Sequence, residues 1–421
     1  MSLDTGNGQT SLPPLDIDWV RAQFPAFATP SAETEGLVFM ENAGGSYTAG
    51  TTIDRLTRFY TGHKVQPYGP FAAAARAGAE MDEARARLAA LMGVETDEVL
   101  FGPSTTQNVY VLAQAVGAML AEGDEIVVTD QDHEANTGAW RRLADRGIAV
   151  REWCVEPETG HLDPAGLAAL LTGRTRLVAM PHASNIVAEG NPVAEIAAMV
   201  HDAGAWLVVD GVSAAPHGIP DAGALGADAY LFSAYKTWGP HQGVMVLRRA
   251  FNAALPNQGH VFNDAYPEKR MVPAGPDHAQ VAAMAGVADY IDALHDHHLP
   301  AQAAPRDRAR AVAAMMRTRE KALLARLMAY LETRADLRVL GPTDPARRHS
   351  TVAMVHARPA AELAEALAPH GIGAGGSDFY SPRVIRAMGA DPDHGVLRLS
   401  FLHYTTEAEI DRVIDALDRV L

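Results

Sequence analysis

The chain has 421 residues, 48% of them hydrophobic and 20% charged, so it can bury a large core and has length for two or three domains. Lys and Arg number 35 against 51 Asp and Glu, a formal charge of −16, which argues against a general nucleic-acid-binding face but leaves room for a local basic pocket. The single cysteine, Cys154, excludes an intrachain disulfide and a cysteine-cluster metal site, and no apolar run reaches the roughly 18 residues of a membrane span.

In chain order, residues 1–15 read as a disordered lead-in, too poor in apolar surface to offset the entropy of ordering. They lack the cationic start and apolar run of a signal peptide, so a cytoplasmic protein is expected. Over 16–295, short β-like runs alternate with Ala-rich helical runs. The β-like runs are 98–101, 125–129, 176–180, 206–210, 229–232 and 243–247; the helices include 79–92, 108–120 and 192–203. That alternation predicts an α/β fold with a mostly parallel, doubly covered sheet. Two helices follow, 279–295 and 306–333. A smaller α+β unit then closes the chain, with β-like runs at 350–356 and 395–401 and helices at 360–368 and 407–421. The expected organisation is a large domain over 16–295, whose first residues are free to pack with the smaller one, and a small C-terminal domain over 296–421.

Two motifs are decoys. Gly371-Ile-Gly-Ala-Gly-Gly376 matches GxGxxG, but it follows a helix and runs into Pro382, so it reads as a mobile loop and not a dinucleotide site. His295-Asp-His-His298 reads as an exposed helix end, not a metal site.

The informative segment runs from Trp206 to Leu247. Leu207-Val-Val-Asp210 is a buried parallel strand ending in a carboxylate, at the strand end where open α/β sheets gather ligands. Ala229-Tyr-Leu-Phe-Ser-Ala-Tyr-Lys236 carries a second strand into a lysine flanked by Tyr235 and Trp238. A partly desolvated lysine has a lowered pKa and can form Schiff bases. Taken singly, Asp210 could be a helix cap and Lys236 a surface lysine; together at one sheet edge they suggest a site.

With Val209-Asp-Gly and Ser233-Ala-Tyr-Lys236-x-x-Gly239, the chain resembles the class V aminotransferases of the fold type I pyridoxal-phosphate (PLP) enzymes, the group with cysteine desulfurases and selenocysteine lyases, over roughly residues 35–415. The resemblance implies that Lys236 holds the cofactor as a Schiff base and that Asp210 pairs with its pyridine nitrogen. Ser104 and Thr105, in Phe101-Gly-Pro-Ser-Thr-Thr-Gln-Asn108, and Ser233 would hold its phosphate at a helix start. His133, in Asp132-His-Glu-Ala-Asn136, would stack on its ring. Asn185, at the end of Pro181-His-Ala-Ser-Asn185, would bond its phenolic oxygen, and Ser213 stands where relatives place a glutamine. Arg398, in Gly395-Val-Leu-Arg-Leu-Ser, would grip the substrate carboxylate. Asn42, Ala43 and Gly44, in Glu41-Asn-Ala-Gly-Gly-Ser46, would line the substrate side. A homodimer is implied, with Val272–His278 reaching the partner's site.

The departures bear on the reaction. Desulfurases carry a nucleophilic cysteine in the loop before the carboxylate-binding arginine, and Gly371–Arg386 has none. Cys154 lies in a strand-like run and reads as a buried apolar residue. The expectation is therefore a PLP-dependent enzyme acting on an amino acid, an aminotransferase or a β-eliminating C–S lyase without an enzyme persulfide. A racemase or epimerase of the same family, a PLP-binding protein without turnover, and a nucleotide-binding α/β protein are the alternatives.

Overall fold

The computed structural model describes residues 12–299 and 302–421. Most of the expected disordered lead-in, residues 1–11, lies outside the described residues. Order begins within the rest of it: Leu15 is buried, and the Asp16 carboxylate accepts from Trp19 N to start the helix Ile17–Ala22.

Apolar runs form the strands where periodicity places them. The chain order is β1 (Val38–Phe39), β2 (Val99–Gly102), β3 (Glu125–Thr129), β4 (Ala149–Trp153), β5 (Thr175–Pro181), β6 (Trp206–Asp210), β7 (Ala229–Ser233), β8 (Gly243–Leu247), β9 (Arg338–Leu340), β10 (Thr351–Val355), β11 (Ile372–Gly373), β12 (Gly375–Ser377) and β13 (Val396–Ser400). Seven of them form one sheet in the order β2-β8-β7-β6-β5-β3-β4. Its pairings from β7 to β4 are parallel, and β8 runs antiparallel to both neighbours. The inner strands are buried on both faces and read as unbroken Val/Leu runs for that reason. This is the mostly parallel α/β fold expected of a fold type I PLP enzyme.

Register sets where the chemistry can lie. Pro181 pairs with Asp210, and Asp210 with Leu231, so β5, β6 and β7 end within two residues of one another. β7 turns through Ala234–Lys236 and returns as β8, closed by Ala234 N donating to Gln242 O at 2.8 Å.

Helix boundaries differ from the pattern at their starts. The helix expected over 79–92 begins at Ala72, because four alanines extend it; it ends at Gly93, whose φ of 66° is a left-handed cap. The helix expected from Asn108 begins at Thr105. His278–His298 is buried along most of its length and packs on Ala72–Met92 and Gly50–Arg58. Gly286 permits this approach, since a Cβ there would lie 2.5 Å from Thr52 Cα.

The C-terminal strands form a four-stranded antiparallel sheet, β12-β13-β10-β9, packed on the long helix Pro305–Leu331 and on Glu407–Val420. The segment read as a mobile loop is instead paired backbone. β11 runs parallel to β1, and β12 antiparallel to β13. Its glycines serve packing: a Cβ on Gly376 would lie 2.1 Å from Ala360 O. The histidine cluster also differs from a free helix end. His295 is buried, His297 stacks on Trp19 at 4.4 Å, and His298 Nε2 accepts from Asp16 N at 2.8 Å. Among the described residues no helix is long and apolar enough to cross a membrane.

Candidate active site

A cavity of about 540 Å³ opens at the carboxyl ends of β5, β6 and β7. One wall is mounted on the sheet. Asp210, the last residue of β6, is buried, and its Oδ1 accepts from Val212 N at 2.8 Å. Burial pushes its carboxyl up to about 6 against a smaller opposing pull from Lys236. Beside it lies Asp132, held by the His133 amide at 3.0 Å and by Asn136 Nδ2 at 2.5 Å. Burial, and then the Asp210 charge, hold Asp132 well above the ordinary carboxylate range. Lys236 follows β7 in a single 3₁₀ turn and points its amine into the cavity. Burial first, then Arg398, lowers it to about 8, against the pull of Asp210 and Glu41.

The turn that holds Lys236 is clamped by an early segment of the chain. Ser46 Oγ donates to Tyr235 O at 3.3 Å and accepts from Trp238 N at 2.9 Å. Trp238 takes a φ of 58°, a left-handed conformation that this clamp and its complete burial enforce. Tyr235 stacks on His241 at 4.7 Å.

The helix Thr105–Met119 starts at one end of the cavity. Thr105 Oγ1 and Ser233 Oγ lie 2.8 Å apart and both line it, as does Thr106. Gly243 lets β8 press against that helix start, since a Cβ there would lie 2.6 Å from Thr105 N. Ser104 stands outside the lining: its hydroxyl caps the helix by accepting from Gln107 N at 3.1 Å. His133 lines the cavity and caps the next helix, its Nδ1 accepting from Ala135 N at 3.0 Å. Burial, then Lys236 and Arg398, lowers it to about 3, so the ring is neutral at neutral pH.

The opposite wall comes from segments distant in sequence. Arg398 sits mid-strand in β13, 3% exposed, with Phe379 stacked 3.6 Å from its guanidinium. Its Nη2 is paired with Glu41 Oε1, while Arg398 Nε and Glu41 Oε2 are buried with no partner among the described residues. Gly375 makes room for Glu41, since a Cβ there would meet Oε2 at 2.8 Å. Phe379 and Tyr380 both take left-handed backbone, φ 48° and 56°, and Asn185 holds the turn. Asn185 Nδ2 donates to Phe379 O at 3.1 Å, and its Oδ1 accepts from Ser381 Oγ at 2.8 Å. Tyr380 lies 5.5 Å from the His133 ring.

Of the residues singled out from sequence, the cavity brings together Lys236, Asp210, His133, Thr105, Ser233, Ser213, Asn185, Arg398, Ala43 and Gly44. Asn42 faces away: its amide donates to Phe39 O and Ser400 O, and its oxygen accepts from Tyr404. Sequence reasoning passed over Asp132, Glu41, Thr106, Phe379 and Tyr380. Asp132, Glu41 and Thr106 were within quoted motifs, and an acid next to His133 or opening the run to Gly44 was the available signal for the first two.

Cys154 corrects an expectation. It is exposed, one residue beyond β4, and does not line the cavity. Partial burial of its sulfur, together with Asp130 and Glu152, still raises the thiol above its ordinary value.

Residues 38–413 match the family model described as aminotransferase class-V. The chain belongs to the class V aminotransferases, a family of PLP-dependent enzymes. An aminotransferase-like protein of Gibberella zeae, FGM3, is 34% identical over 420 residues, 97% of this chain and 99% of its own. A probable cysteine desulfurase of Halobacterium salinarum is 29% identical over 428 residues, covering 96% of each. The fold of this class V chain matches that of a cysteine desulfurase from Thermococcus onnurineus NA1, with a TM-score of 0.82, 22% identity, and 97% and 98% of the two chains covered.

Proposed function

We propose that the protein acts on an amino acid as a PLP-dependent aminotransferase or β-eliminating lyase, without an enzyme persulfide. The observation that carries this is the position of Lys236 just beyond β7, lining a cavity that the buried Asp210 carboxylate at the end of β6 also lines. The residues present suit the cofactor. The paired hydroxyls of Thr105 and Ser233, at a helix start with free N–H groups, suit its phosphate. Asp210, which burial alone leaves reluctant to ionise, gains its natural partner in a protonated ring nitrogen. The neutral His133 ring suits the face of an aromatic ring. Asn185 keeps one N–H free of its contact with Phe379, enough for the phenolic oxygen.

When bound, PLP supplies an electron sink at the substrate's α-carbon. The protein supplies the rest. Lys236 takes and returns the proton at Cα; with a pKa near 8 its amine is present in both forms close to neutral pH. Arg398 offers a planar fork to the α-carboxylate. That fork is engaged by Glu41, so a substrate carboxylate takes Glu41's place on it. Phe379 and Tyr380 line the cavity beside Arg398 and His133.

The absence of a thiol among the cavity-lining residues supports elimination or transamination over persulfide formation. A homodimer is supported by an exposed apolar patch, Val261 at 89% and Phe262 at 76%, close to the segment Val272–His278. The test is a screen of amino acids and their sulfur derivatives against the PLP-loaded protein, with products identified by mass spectrometry. A keto acid, or pyruvate with released thiol or sulfide, is the expected product. Recovery of only the mirror-image amino acid would replace this reading with racemisation.

A further inference from the structure

A second cavity, about 240 Å³, opens between the helix Pro305–Leu331 and the loop 342–350 that enters β10. It borders Arg348, which is 4% exposed. Arg348 Nη1 donates to Pro342 O at 2.8 Å and Nη2 to Thr351 O at 2.6 Å, while Nε is buried with no partner among the described residues. At the mouth stand Arg317 and Lys321, one helical turn apart and both exposed. Neither is within 4.0 Å of a carboxylate among the described residues.

Both oxygens of Glu189 in this crevice are engaged, and Glu320 is engaged through Oε2 alone, its Oε1 being buried without a partner among the described residues. Glu189 pairs with Arg347 at 2.6 Å and with His161 at 2.9 Å. Glu320 takes His217 at 2.7 Å and Ser350 at 3.2 Å. His349 stacks on His217 with centroids 4.6 Å apart and adds no negative charge. The result is a local excess of positive charge in a chain whose formal charge is −16. A buried guanidinium N–H without an acceptor is costly, and Arg348 is the arginine bordering this crevice that carries one.

We propose that this crevice binds a small oxyanion of the phosphate or phosphomonoester class. Arg317 and Lys321 from the helix and Arg348 from the loop that enters β10 line one crevice with cationic donors, which suits an oxyanion that accepts at several oxygens. The volume equals about eight waters at roughly 30 Å³ each, enough for a phosphate group with a small organic remainder. It falls below the roughly 300–1,000 Å³ of pockets for larger ligands. Ser350 and His217 join the crevice to the sheet, and His217 also lines a small void with Lys236 and Ser213.

The test is calorimetric titration of the protein saturated with PLP, so that its phosphate site is filled. Inorganic phosphate, glycerol 3-phosphate and acetate are compared at constant ionic strength, in wild type and in the exposed-pair variant Arg317→Ala/Lys321→Ala. Phosphate or the monoester binds one site in wild type and at least about tenfold more weakly in the variant, the loss of a charge-assisted hydrogen bond being worth that much. Tighter binding of glycerol 3-phosphate assigns a phosphomonoester; tighter binding of phosphate assigns the free ion. Hydrogen exchange of the loop 342–350 slows on addition of the bound probe, and the variant loses this protection. No binding of either phosphate probe, equal affinity in the variant, or acetate binding as tightly as phosphate overturns the proposal.

Discussion

The two walls of the active-site cavity are built on different principles. The sheet wall places Asp210, Ser233 and Lys236 at the ends of adjacent strands, where hydrogen-bonded register leaves little freedom. The facing wall joins Glu41, Asn185, Phe379 and Arg398, residues up to 357 positions apart, through side-chain contacts and two left-handed non-glycine residues. Such backbone costs about 1–3 kcal/mol per residue and persists only when its surroundings enforce it. On the proposed function, the sheet wall serves the chemistry common to the family and the facing wall, held by displaceable contacts, sets substrate choice.

Substitutions that separate the two walls test this division. Lys236→Ala has the largest effect. Borohydride no longer fixes PLP to the chain, and turnover falls by about 10²–10⁴-fold or more, whereas in wild type the labelled peptide contains Lys236. Labelling of any other lysine would refute the role given to the sheet wall. Arg398→Ala comes next. It leaves the bound-cofactor spectrum nearly unchanged and weakens amino-acid binding by ~2–5 kcal/mol, measured by titrating the absorbance change. A comparable loss of cofactor would merge the two walls into one functional unit.

Glu41→Gln acts in the opposite direction. With the competing carboxylate neutralised, KM for an amino-acid substrate falls roughly two- to tenfold, the span of an ordinary hydrogen-bond difference, with kcat little changed. A rise in KM would show that Glu41 holds Arg398 in its working position. The pH dependence of cofactor loading sharpens the sheet side. The neutral amine of Lys236 is the nucleophile, so the capture rate of PLP by the apoprotein climbs up to about tenfold per unit below pH 8 and levels above it. The folded apoprotein holds fewer protons than the unfolded chain between about 8 and the ordinary lysine value of 10.5, so this group adds stability as pH rises through that window. A midpoint near 10 would show an amine open to water. Cys154→Ser, outside both walls, changes turnover by less than about twofold, and no persulfide forms on it with cysteine as substrate; loss of turnover would return the protein to desulfurase chemistry.

The sheet wall was readable before any coordinates. Val209-Asp-Gly and the Ser233–Lys236 turn are contiguous motifs at the ends of strands whose apolar runs identify themselves, and burial on both faces keeps those runs unbroken. Ser104 and Asn42 show the limit of that reading. Each lies one residue from a cavity-lining neighbour, yet a helix cap and a pair of backbone carbonyls claim their side chains. Cys154 shows another limit, because a strand-like run does not say which of its ends reaches solvent.

Sequence by itself determined the family, the parallel core and the lysine–aspartate pair, since each rests on local periodicity or on a short motif. Tertiary structure alone decided that Glu41 occupies the Arg398 fork, that Asp132 stands beside Asp210, and that Asn185 holds Phe379 and Ser381 at the cavity wall. Asp132 and Asp210 meet through the strand order of one sheet, Glu41 reaches Arg398 beside its bridge to Ser400, and Asn185 reaches Phe379 across from the large sheet to the C-terminal segment. Arg317 and Lys321 belong to the same class: on the sequence they are two cations in a charged helix, and only the fold sets them beside a buried arginine with an unfilled N–H. The physical reason is common to all of them. A side chain's charge and hydrogen-bonding capacity are written locally, but the partner that satisfies or opposes it is chosen by long-range packing.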